Sequence, residues 1–193
     1  MILFAAEDAS LHYAGSPNPT FRNVTLRIKA RENLRLCGPS GAGKTSLMRL
    51  IAGLEAPTSG KITAHACRIG YCFSEPRLLA NLSVLENLLF VAPGFEAEAE
   101  DLLRCVEMEA FRDNPARNLS KGQAQRIALL RALIVRPDIV LLDEALGGLD
   151  LPAWQHSRKL VIERRATYPF ALVEISHDPT RLVAPHGRTI TLT

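Results

Sequence analysis

Residues 38–45 read GPSGAGKT, and few eight-residue stretches restrict a fold so tightly. The pattern GxxxxGK[ST] needs glycines so that backbone N–H groups can curl around phosphate oxygens without Cβ clashes. It needs Lys44 as a point charge at the β- and γ-phosphates, and the Thr45 hydroxyl to ligate Mg²⁺. The context agrees. Leu34 to Cys37 reads as a strand running into the turn, and from Lys44 the apolar residues Leu47, Met48, Leu50 and Ile51 follow helical spacing, with Gly53 as a stop signal. Strand, glycine-rich turn and helix in that order predict a nucleoside triphosphate site. The motif alone does not separate a kinase from a GTPase, a motor or a transport ATPase.

The second half of such a site is IVLLDE, residues 139–144. A continuous apolar run is expected for a central parallel strand. An acid at its end is where Mg²⁺ needs a ligand, so Asp143 suits that role. Glu144 follows and leaves the strand end in the opposite direction. A carboxylate there can polarise a water for in-line attack on the γ-phosphate. Two adjacent acids favour hydrolysis over transfer to another substrate.

The remaining chain fills in an α/β pattern. Val24, Leu26 and Ile28 alternate with polar residues as in a half-buried strand, and residues 56–60, APTSG, read as a loop. SVLE, residues 83–86, is a capping box before a helix near Val84. A Glu-rich helix is expected from about Glu96 to Ala110, and another from Ala124 to Val135, stopped by Pro137. Asp150 can cap a helix with Pro152 in its first turn. Phe170 to Ile175 reads as a buried strand and Arg188 to Leu192 as an edge strand. RKLVIERR, residues 158–165, reads as one solvated helix face. Strands alternating with helices imply a mostly parallel sheet with helices on its faces.

Bulk composition narrows the partners. The 193 residues carry 23 basic and 20 acidic side chains, a net charge of +3, which does not argue for nucleic acid. No apolar run approaches the ~18–20 residues needed to span a bilayer. The start, MILFAAEDAS, lacks the basic region of a secretory signal, so a cytoplasmic location is expected. Cysteines 37, 67, 72 and 105 form no metal pattern and are expected to be reduced and mostly buried.

LSKGQAQR, residues 119–126, places small and amide residues directly before a helix. Helix N-termini carry unpaired N–H groups and partial positive charge, so this is a second anion site. One nucleotide rarely needs two. LSKGQ is better explained if Ser120 and the Gly122 N–H face a γ-phosphate bound at the GPSGAGKT of another chain, in a two-fold dimer that sandwiches two nucleotides.

With these pieces in order, the sequence resembles the ATP-binding cassette (ABC) transporter ATPases along essentially its whole length. GPSGAGKT and IVLLDE look like their Walker A and B motifs, and LSKGQ, followed by QR and an RAL segment, looks like their signature. Within the family, the segments EPRLL and SVLENL look most like importer ATPases of the nitrate, sulfonate and taurine kind. The resemblance implies a P-loop NTPase fold: α/β, with a mostly parallel sheet flanked by helices, an N-terminal antiparallel β portion and an inserted helical lobe. It implies one domain over 1–193, with the core in 1–74 and 119–193 and the lobe at about 75–118. It implies ATP and Mg²⁺ as cofactors. Nucleotide contacts fall to Gly38, Pro39, Ser40, Gly41, Ala42, Gly43, Lys44, Thr45 and Ser46, and to Ser120, Lys121, Gly122 and Gln123 from the facing chain. Tyr13, in LHYAG, lies where the family stacks an aromatic on adenine. His177, in ISHD, matches the switch histidine at the γ-phosphate, and Asp150, in GGLD, the loop that crosses the dimer interface. The implied partners are a second ATPase subunit, most simply a copy of this chain, and a membrane-spanning permease. The permease would bind near Ser74 to Asn87 and hold the chain peripherally at the cytoplasmic face of the membrane.

The chain also departs from the family. Ser74 stands where relatives usually carry a Gln that reaches the Mg²⁺ and the attacking water; a serine could act there only through a bridging water or a loop shift. Ala145 replaces a common proline, Gly147-Gly148 replaces a more rigid pair, and the connection from Gly60 to Tyr71 is short. The expected function is the ATP-hydrolysing subunit of a transporter. A soluble ABC ATPase and a poorly hydrolysing regulatory module are the alternatives.

Overall fold

Every position of Ile139–Asp143 (β6 in chain order) and of Ala171–Ile175 (β7) is buried, and these two strands form the middle of the protein. The computed structural model describes residues 1–65 and 67–193. The preceding strands are β1 (Ile2–Leu11), β2 (Phe21–Lys29), β3 (Asn33–Cys37), β4 (Ser59–Ala64) and β5 (Ile69–Cys72), and β8 is Arg188–Thr191. The helices are α1 (Lys44–Ile51), α2 (Val84–Leu89), α3 (Glu96–Cys105), α4 (Lys121–Ile134) and α5 (Leu151–Thr167). Five strands pair in the order β5-β6-β7-β3-β8, all parallel, and β2-β1-β4 form a separate antiparallel sheet.

The period of two along a strand divides the core. Ile139, Leu141, Ala171 and Val173 face a cluster built on α1 and the antiparallel sheet, with Met48, Ile51, Phe4 and Ile28. Val140, Leu142 and Leu172 face the other side, where α2, α3, α4 and α5 pack through Leu88, Leu103, Ile127 and Leu160. The burial of both faces is why β6 and β7 read as unbroken apolar runs.

Helix ends follow their local chemistry, and several differ from the sequence reading. Gly53 adopts φ 71° and ends α1, with Leu54 N–H donating to Arg49 O and Gly53 N–H to Leu50 O. The expected loop at 56–60 is shorter, because Ser59 and Gly60 already belong to β4. That edge strand is mostly exposed, so it carries no alternating apolar signal. α3 stops at Cys105 rather than near Ala110. Glu107 takes φ 56°, which lets Val106 and Met108 on either side both become fully buried. α4 starts at Lys121, three residues before the apolar run, because Ser120 and Gln123 form a capping box.

The basic run on α5 is not one solvated face. Leu160 and Val161 are buried within it. Arg164 donates to Glu98 Oε1 at 2.5 Å, and Arg165 donates to Phe170 O at 2.9 Å and to Asn33 Oδ1. Glu98 also accepts from Arg136 at 2.8 Å, so α3 is tied to α5 and to the end of α4. Of the four cysteines, all free, only Cys72 is fully buried. Cys37 and Cys67 are partly buried and Cys105 is exposed.

Asn87 belongs to the fold rather than to an outer surface. It is completely buried; its Oδ1 accepts from Leu79 N–H at 2.8 Å, and its Nδ2 donates to the carbonyls of Leu79 and Ser83 at 3.1 and 2.9 Å. Removing the amide strands these backbone groups. Asn87→Ala is expected to cost about 2–3 kcal/mol in urea-unfolding free energy at pH 7.

Candidate functional site

Ligand sites in open parallel sheets form beyond the carboxyl ends of the strands, and four strand ends converge here. β3 runs into residues 38–43, β6 ends at Asp143, β7 is followed by Ser176 and His177, and β5 leads to Phe73 and Ser74. A cavity of ≈ 290 Å³ opens among these ends, lined by Thr20, Ser40, Gly41, Gly43, Lys44, Thr45, Ser46, Glu144 and His177.

At two positions the loop's glycines are fixed by close neighbours as well as by their backbone angle. Gly38 has φ 139°, and a Cβ there would lie 2.4 Å from Leu192 O. Gly43 has φ 86°, and its Cβ would lie 2.9 Å from Thr20. Lys44 is almost fully buried and donates to the carbonyls of Gly38 and Pro39 at 2.9 and 2.8 Å. Pro39 O also accepts from Ala42 N–H at 3.2 Å, which closes the turn. The loop thus holds its cation over the cavity against weak neutral acceptors, a pairing that phosphate oxygens can outcompete.

Asp143 is 1% exposed. Its Oδ1 accepts from Thr45 Oγ1 at 3.0 Å and its Oδ2 from Tyr71 Oη at 3.1 Å. Burial pushes its carboxyl above the usual range, and the two hydroxyl donors pull it back. The Tyr71 phenol is itself driven well up by burial and by the adjacent carboxylate, so it remains a donor. A carboxylate and a threonine hydroxyl beside a phosphate cradle are the hard oxygen set that Mg²⁺ takes, with phosphate and water completing an octahedron. The donor set therefore fits Mg²⁺, and the cradle fits a polyphosphate.

Glu144 leaves β6 in a left-handed conformation, φ 54°, and is exposed. A non-glycine residue held there is strained, and such strain collects at functional sites. Its carboxylate meets His177, whose Nε2 lies 2.8 Å from Glu144 Oε1. Since a carboxylate only accepts, Nε2 carries the proton of this bond.

The other residues singled out by sequence lie around this centre. Tyr13 does not line the cavity. Its hydroxyl lies 3.2 Å from Glu55 Oε1 and 3.3 Å from Ser46 Oγ, which holds the ring beside the start of α1. Ser120 and Gln123 cap α4: Ser120 Oγ accepts from Gln123 N–H at 3.2 Å, and Ser120 N–H donates to Gln123 Oε1 at 2.8 Å. Lys121 pairs with Glu75 at 3.2 Å. Asp150 caps α5 through Ala153 N–H at 2.8 Å. Among the described residues, none of Ser120, Lys121, Gly122 and Gln123 lines the phosphate-loop cavity. Ser74 does not line it either. Ser74 lines a second cavity of ≈ 350 Å³ with Lys121, Gly122, Gln125 and Glu144, so the short side chain lies on the α4 side of Glu144 rather than at Asp143.

Sequence reasoning missed Tyr71. It pairs in register with Leu141 on β6, so its phenol reaches along the same face to Asp143, two residues further on. A tyrosine next to the fully buried Cys72, in a partly buried edge strand, was the available signal, since a phenol enclosed at such a position needs a hydrogen-bond partner.

Known proteins resemble this chain in sequence and in fold. A sequence profile of the ABC transporter family matches residues 21–147. The taurine import ATP-binding protein TauB of Pseudomonas putida is 34% identical over 194 residues, covering 92% of this chain and 73% of that protein. The sulfate/thiosulfate import ATP-binding protein CysA 2 of Rhizobium meliloti is 32% identical over 195 residues, covering 90% and 53%. The chain thus spans about half the length of the sulfate/thiosulfate relatives. Among solved structures, the dimeric post-hydrolysis state of the ATP-binding cassette MJ0796 bound to ADP and Pi superposes with a TM-score of 0.84 at 26% identity, over 98% of this chain and 94% of that one. With a profile across more than half of its residues and a 34% identical relative along most of both chains, the chain belongs to the ABC transporter family.

Proposed function

We propose that the chain binds ATP with Mg²⁺, hydrolyses it as one half of a nucleotide-sandwich dimer, and so energises an importer whose membrane-spanning subunit is a separate chain. The observation that carries this reading is Gly122. It sits at helical φ in the first turn of α4, and a Cβ there would meet only Leu149 Cδ2, at an ordinary 3.7 Å. Nothing inside the chain requires a glycine, although glycine in a helix costs about 1 kcal/mol. A requirement from outside, the close approach of a phosphate held by a second copy, accounts for it. The absence of Ser120 to Gln123 from the chain's own phosphate cavity points the same way.

Within that reading Lys44 exchanges the Gly38 and Pro39 carbonyls for the β- and γ-phosphate oxygens. Thr45 and Asp143 hold Mg²⁺, which when bound neutralises charge building on the phosphates. Glu144 accepts a proton from the attacking water while His177 fixes its orientation. Tyr13 supplies a ring face for adenine beside α1. Ser120, capped and therefore rigid, presents its helix end to the facing nucleotide, and Asp150 lies where the two copies cross.

Attachment to a membrane subunit rests on the importer names of the relatives and on exposed Leu79, Phe90 and Val91 beside the expected 74–87 surface. Among the described residues no helix is long and apolar enough to cross a membrane. The soluble and regulatory alternatives lose ground to those names and to the assembled Glu144–His177 pair.

Steady ATP turnover by the purified chain tests the proposal. Glu144→Gln is expected to lower turnover by about 10²-fold or more. Ser120→Arg is expected to abolish turnover while leaving equilibrium ATP binding nearly intact; a parallel loss of both would place the signature in its own chain's site. Glu144 lines the same cavity as Ser74, and an amide there has room to extend toward the water that Glu144 polarises, so Ser74→Gln is expected to raise turnover several-fold, measured as phosphate release at saturating Mg²⁺.

A further inference from the structure

We infer that Arg181 pre-orders the loop of residues 147–150 for contact with a second copy, by bonding the Leu149 carbonyl from the segment that carries His177. The inference rests on the nucleotide-sandwich reading above. The loop is weakly held by its own backbone. Between Glu144 and Asp150 its turn bonds are long: Gly147 N–H donates to Glu144 O at 3.2 Å and Leu149 N–H to Leu146 O at 3.4 Å. Gly147 and Gly148 are exposed and bring no side chain to fix them. Leu149 directly precedes the cap of α5, and among the described residues no backbone N–H bonds its carbonyl. Arg181 Nη1 does so instead, at 2.6 Å.

Arg181 is itself held from both sides. Before it, Ser176 Oγ donates to Asp178 O at 3.0 Å, and Asp178 Oδ1 accepts from the N–H and Oγ1 of Thr180 at 2.8 and 2.6 Å. After it, Arg158 on α5 donates to Leu182 O at 3.3 Å. Glu174, the charged residue of the otherwise apolar β7, is 6% exposed. Its Oε1 accepts from Val183 N–H at 2.9 Å and its Oε2 from Ala184 N–H at 3.4 Å. A carboxylate buried in a central strand needs such donors, and here they fasten the 183–184 backbone to the sheet. The guanidinium therefore reaches from a braced segment to a loop that is not.

Leu149 is where that loop bears on the dimer. Its Cδ2 lies 3.7 Å from the position of a Gly122 Cβ, so it packs on the first turn of α4, and Asp150 is the next residue. In the sandwich a second copy meets Gly122 and Asp150 together. A loose loop has to be ordered as the copies close, and that lost entropy weakens association; a loop already fixed avoids the cost. Arg181 acts through Leu149 in this scheme, so it is a positioning residue.

The test follows ATP-dependent self-association of the full chain by sedimentation, in a Glu144→Gln background that preserves the nucleotide. Binding of a fluorescent ATP analogue is measured beside it, at chain concentrations too low for association. Arg181→Met keeps the hydrocarbon stem and removes the donors. It is expected to weaken association about tenfold, the scale of one charge-assisted hydrogen bond, and to leave analogue binding unchanged. At Gly148 a Cβ meets nothing within 4 Å and φ is not left-handed. Adding Gly148→Ala therefore stiffens the loop without strain, and is expected to recover about threefold of the loss. Arg181→Lys, one atom shorter, is expected to weaken association by less than Arg181→Met, and decides the matter if Arg181→Met does not fold. Unchanged association in the folded variants, an equal loss of analogue binding, or no recovery with Gly148→Ala each overturns the role of Arg181. Failure of the Glu144→Gln chain to associate with ATP overturns the sandwich reading as well.

Discussion

A carboxylate placed at the end of a fully buried strand cannot stand alone, since an unpaired buried charge is among the most costly groups a fold can carry. Asp143 is in that position, and much of the molecule is arranged to supply its partners. Thr45 comes from the helix that follows the glycine-rich loop, and Tyr71 from the neighbouring edge strand. The parallel order β5-β6-β7-β3 puts those two donors on either side of one acid. The same geometry brings His177 from the end of β7 to Glu144. One electrostatic demand thus ties together three segments, around Thr45, Tyr71 and Asp143, and the neighbouring acid adds a fourth at His177.

Glu144 completes the site by turning out of line. Asp143 and Glu144 are neighbours, yet one is enclosed and the other open to solvent. The left-handed backbone at Glu144 produces the division. Two acids side by side on an extended strand would point to opposite faces in any case. Here the second also lines the cavity, beside His177.

The central sheet and the phosphate loop were legible because their signals are redundant. GPSGAGKT carries its own flanking strand and helix, and β6 is apolar at every position before its acid. The capping boxes at Ser83 and Ser120 follow from local hydrogen-bond chemistry, although at Ser120 the apolar run alone placed the helix start three residues late. What the sequence hid was non-local. β4 is polar because it is an exposed edge, and α3 ends early because Val106 and Met108 both find the core. The run on α5 looked like a solvated face, yet Arg164 and Arg165 reach Glu98 and the Phe170 carbonyl. Tyr71 escaped notice because its importance depends on the register between β5 and β6, which no local pattern records. Ser74 was legible as a departure but not in its placement, on the cavity beside α4 rather than at Asp143.

The fourteen residues of α4 do two jobs at opposite ends. Ser120 and Gly122 form its outward tip, while Arg131, near the far end, grips the backbone of Pro76 and Arg77. A helix of this length is a rod of about 21 Å. A tilt of about 10° at its inner end would swing the tip by roughly 3.5 Å, more than the length of a hydrogen bond. The grip therefore works as the short arm of a lever. A small displacement of the 76–77 segment would be geometrically magnified at the tip, and a load on the tip would reach that segment as a proportionally larger force.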